Sequence, residues 1–73
     1  MTTESSTTVM ESPVSDVVYD LMQALTSKLE AIEAYAMYRD DSTGEVRQLF
    51  DDLIVDERRH AERLLEVLRT EMR

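Results

Sequence analysis

The sequence predicts an all-α fold, an antiparallel two-helix hairpin that pairs with a second copy into a four-helix bundle. Three observations carry this. Apolar residues recur at helical spacing through two long segments. The run Asp40-Asp41-Ser42-Thr43-Gly44 breaks the pattern between them. Finally, 73 residues with no cysteine make a small core with nothing to staple it. Hydrophobic residues are 42% of the chain, with one Phe and no Trp, too few to close a compact monomer.

Residues 1–12 carry Ser, Thr and Glu with no apolar period, and the sequence predicts a flexible tail there. Residues 13–73 form the domain. Ser12 can cap a first helix, and Pro13 suits its first position because proline has no N–H to leave unpaired. Val14, Val17, Val18, Leu21, Leu25, Ile32, Tyr35 and Ala36 then make one apolar stripe, with Lys28 or Leu29 at its edge. This helix is expected over about 13–40, about 40 Å long.

After the break, Ser42 followed by Glu45 has the spacing of a capping box, and Gly44 eases a tight entry. A second helix is expected over about 43–71, with Arg69 and Arg73 favouring its negative end. So short a connection makes the helices antiparallel neighbours. If the turn is centred between Ser42 and Thr43, Glu57 lies level with Lys28, His60 with Leu25, Leu53 with Ile32, and Leu64 with Leu21. Each helix is apolar over more than one seam, which asks for a homodimer or a higher homo-oligomer.

Along the second helix one stripe runs Val46, Phe50, Leu53, Glu57, His60 or Ala61, Leu64, Leu68. Glu57 and His60 thus stand one turn apart on a face that must be buried, where an ionised carboxylate needs a partner. Two readings are open. In one, Glu-x-x-His doubled by two-fold symmetry supplies two carboxylates and two imidazoles for a metal, and that donor set suits iron, manganese or zinc. In the other, Lys28 neutralises Glu57, His60 and Tyr35 complete the hydrogen bonds, and the cluster fixes helix register with no chemistry. Glu30 and Glu33 lie off the first stripe and suit water, although a neighbouring chain could bring either into a site. Met22, Met37 and Met72 are expected in core or end packing. Glu62 and Glu66, among Arg58, Arg59, Arg63 and Arg69, read as surface pairing.

The formal net charge of −8 argues against nucleic acid, because 8 basic residues are scattered among 16 acids. No apolar run approaches the roughly 20 residues that span a bilayer. The start of the chain lacks the basic patch and apolar core of a secretory signal, so a cytoplasmic location is the default expectation.

Leu29-Glu30-Ala31-Ile32-Glu33-Ala34-Tyr35, followed by Asp56-Glu57-Arg58-Arg59-His60-Ala61-Glu62-Arg63-Leu64, resembles the ferritin-like superfamily of rubrerythrins and bacterioferritins, and above all the two-helix encapsulated half-ferritins. The likeness spans nearly everything beyond residue 13. It implies a di-iron centre with Glu57 as bridging ligand and His60 as terminal ligand, Tyr35 beside it, and ferroxidase activity wherever metal binds. It also implies dimers that assemble further, packed in a protein nanocompartment through a C-terminal targeting peptide. Two departures stand against this. Lys28 occupies the position of the family's first-helix glutamate, which leaves Glu33 or Glu30 as the replacement carboxylate, and no targeting peptide follows Arg73 in this sequence. Two functions therefore emerge: a ferritin-like iron-oxidising protein, or a metal-free ferritin-like assembly or interaction module in which Lys28 pairs with Glu57.

Overall fold

A computed structural model describes residues 14–73, which form two helices, α1 (Asp16–Asp40) and α2 (Gly44–Glu71), packed as a hairpin. The described residues adopt the expected all-α architecture with one short connection. The expected cap at Ser12 and Pro13 lies outside the described residues. Within them, α1 begins at Asp16 rather than 13, because Ser15 is the cap. Its backbone is extended (φ −67°, ψ 159°), and its Oγ accepts a 3.1 Å hydrogen bond from the Val18 N–H. Asp16 adds a negative charge at the positive end of the helix dipole.

The connection differs from the expected capping box. Ser42 does not cap α2; its Oγ donates back to the Tyr38 carbonyl at 2.6 Å, and its N–H donates to the Arg39 carbonyl at 3.0 Å. Ser42 therefore finishes α1. Thr43 holds the cap position of α2 without a side-chain hydrogen bond. A box built on Thr43 would need Glu or Gln at Val46, so none forms. Gly44 enters α2 at φ +60°, a left-handed conformation in which a side chain is strained, and this meets the expectation of a tight entry. Arg47 crosses the turn to donate to the Arg39 carbonyl at 3.2 Å, and Arg39 meets Asp51 at 3.5 Å.

The seam is narrow. Val18, Ile54, Ala61 and Leu68 are buried, the last three recurring every seventh residue. Leu21, Leu25, Ile32, Phe50, Leu53, Leu64 and Leu65 are half-buried, and among the described residues no side chain is wholly enclosed. Val17, Met22, Leu29, Tyr38, Val46, Leu49 and Val55 are exposed. The core role expected of Met22, Met37 and Met72 is not met within one hairpin, because all three are exposed. Met72 does line an open groove of about 290 Å³ at the free end of the hairpin, with Val14, Ser15, Val18 and Glu71.

The shape follows from one seam between two helices. The molecule measures 51 × 27 × 14 Å, a slab one helix thick. Its radius of gyration is 16.7 Å, against about 11 Å for a compact domain of this length. A layer hydrophobic on its faces is stable when another layer covers it.

Candidate functional site

The sequence builds the site from two stripes. On α1, Lys28 continues the seam positions Val18, Leu21 and Leu25, so its stem lies along α2. On α2, Glu57 stands three residues after buried Ile54 and four before buried Ala61, which turns its side chain toward α1. The antiparallel register brings the two together as equal height requires. Lys28 Nζ lies 3.1 Å from Glu57 Oε1 and donates to Oε2 at 3.4 Å. The ammonium thus spans both oxygens of the carboxylate.

His60 completes the cluster from the next turn of α2, with Nδ1 3.0 Å from Glu57 Oε1. The two residues differ in cover. The Glu57 side chain is 16% exposed and that of His60 is 60% exposed. One hairpin covers the acid and leaves the imidazole open, because Glu57 faces α1 while His60 sits on the flank shared with Leu53 and Leu64. Glu57 is held below its ordinary carboxylate range. The hydrogen bond with His60 contributes most and that with Lys28 next, outweighing the partial burial that pushes the other way.

The other expected residues fall elsewhere. Tyr35 is half-buried in an aromatic cluster nearer the turn, its ring 6.1 Å from Phe50 and 6.3 Å from Tyr38. Tyr38 meets Phe50 edge-on at 5.6 Å. Glu30 and Glu33 are exposed on α1, outside the Lys28–Glu57–His60 cluster. Among the described residues no group of three or more His, Cys, Asp or Glu side chains comes together as a metal site. Tyr38 and the Arg39–Asp51 pair are not among the residues expected from the sequence. The signal for Tyr38 was its place one turn beyond Tyr35, level with the first turn of α2.

Comparison with family models, curated proteins and solved structures gave no match. The chemistry of this chain's own residues bears on the two readings. A carboxylate bridging two metal ions needs both oxygens, and Lys28 holds both. The ammonium also adds a positive charge where a cation would bind. One chain then offers two donors, Glu57 and His60, with no carboxylate from α1 beside them. That set does not fit a di-iron centre. No helix among the described residues is long and apolar enough to cross a membrane.

Proposed function

We propose that the chain is a metal-free, self-associating helical module. Two hairpins pack into a four-helix bundle, and the Lys28–Glu57 pair fills the position that ferritin-like proteins, which the sequence resembles, give to a metal ligand. The observation that carries this reading is the Lys28 ammonium within 3.4 Å of both Glu57 oxygens. The exposed apolar residues of a slab 14 Å thick support the association. On this reading the module acts through what it assembles with and is not a catalyst.

The contact between Glu57 and His60, one turn apart on one face, favours a second reading in which a neighbouring chain supplies the missing carboxylate, Glu33 or Glu30, and the assembly oxidises ferrous iron. Anaerobic titration with ferrous iron, followed by admission of oxygen, separates the two. The module reading predicts neither saturable binding nor rapid oxygen uptake. Saturable binding of about one iron per subunit or fewer, with oxygen uptake lost in both Glu57→Ala and His60→Ala, would overturn it in favour of ferroxidase chemistry. Residence in the cytoplasm or in a protein nanocompartment belongs to the same proposal, and co-purification of the intact assembly with a shell protein tests the latter.

A further inference from the structure

The flank of α2 that carries His60 has a symmetry within its own sequence. Reflected about the point between Arg58 and Arg59, Glu57 falls on His60, Leu53 on Leu64, Phe50 on Val67, and Val46 on Glu71. These residues alternate in steps of four and three, so they form one continuous stripe along the helix. Inward positions hold apolar residues against apolar and polar against polar, and only the outermost pair is mixed. An antiparallel two-fold pairing imposes such a reflection, because residues at equal distances from the axis meet across it.

We infer that this stripe is covered by the same stripe of a second copy, antiparallel, and that the Lys28–Glu57–His60 cluster at its centre fixes the register. The inference rests on the assembly proposed above and adds to it the orientation and the residues that select it. The hairpin extends 51 by 27 Å across its broad face, which leaves room for the roughly 800 Å² per partner of a stable interface. Val46 and Leu49 are more than half exposed on it, and Leu53, Leu64 and Val67 are half-buried. His60 lies on the stripe itself and is 60% exposed, and Lys28 beside it is 36% exposed.

In the centred register Leu53 meets the partner's Leu64, and the two clusters lie beside each other at the axis. Slipping by seven residues sets Glu57 opposite the partner's Leu53 and His60 opposite the partner's Phe50. Slipping the other way sets His60 against the partner's Leu64 and Glu57 against the partner's Val67. Either slip strands polar groups on apolar side chains, which carries a desolvation cost that the centred register avoids. One polar position in an apolar seam selects register in coiled coils by the same means. An all-apolar stripe lacks that penalty and tolerates several alignments.

The absence of cysteine makes the test clean. Leu53→Cys and Leu64→Cys chains are mixed at micromolar concentration and oxidised, in the otherwise native chain and in one carrying Lys28→Met, Glu57→Met and His60→Leu together. The native background should give the mixed disulfide between positions 53 and 64 and little of either homodisulfide. The apolar background should lose that selectivity, with a lower yield of the mixed disulfide, because either slip carries positions 53 and 64 apart, and a wider spread of masses in sedimentation. An apolar variant that keeps the single mixed disulfide and one mass would overturn the register role. Dimers whose native background favours a homodisulfide would overturn the antiparallel pairing while leaving the assembly standing. A native chain that is monomeric throughout would remove both. Spin labels attached at the same cysteines under reducing conditions give the register by distance if oxidation perturbs the pairing.

Discussion

Glu57 lies at the meeting point of two opposed demands, since burial favours its neutral form while His60 and Lys28 favour its charge. The charge wins, and its folded-state pKa falls below the ordinary 4.5. A carboxylate depressed on folding contributes stability that is complete above its unfolded value and is lost as pH falls through the folded one. The melting temperature of the native chain should therefore exceed that of Glu57→Gln at neutral pH, and the gap should close on acidification below 4.5. An unchanged gap in acid would remove Glu57 from the account. Lys28→Met should lower the melting temperature too, because it leaves a poorly solvated carboxylate without its cation. The pairing of Lys28 with Glu57 was legible in the sequence, since the turn fixed which residues stand level and the pair is the polar one at that height. The openness of His60 was not, because a stripe read along one helix does not say which part of it faces the neighbouring helix and which the flank.

The two helices show where local signals compete. Their number, type and C-terminal limits followed from apolar period and the polar break. The start of α1 and the capping residues did not, because Ser12, Ser15, Ser42 and Thr43 all have capping chemistry and neighbouring contacts choose among them. Ser15 is selected by the Val18 N–H, whereas Ser42 is drawn back to the Tyr38 carbonyl. Replacing Ser15 with Ala should cost about 1 kcal/mol of helix stability, read as fraying of α1 by amide hydrogen exchange around Val18. Gly44→Ala should cost about 1–2 kcal/mol from the left-handed backbone alone, since no atom lies within 4 Å of the position an added Cβ would take. A loss well beyond that in thermal unfolding would mean that the turn is held by more than this one conformation.

At the scale of the whole molecule, one seam buries Val18, Ile54, Ala61 and Leu68 and leaves both broad faces of the slab uncovered. A chain of this size gains too little from one such seam to offset the entropy of ordering two long helices. The width of the apolar stripes was evident from the sequence, while what would cover them needs information a single chain does not carry. Folding and association should therefore be coupled, with a melting temperature that rises with protein concentration. Sedimentation equilibrium at micromolar concentration is the most direct measurement of the central claim. The account predicts a dimer or a larger even assembly with no appreciable folded monomer. A helical, cooperatively melting species at the mass of one chain would contradict it.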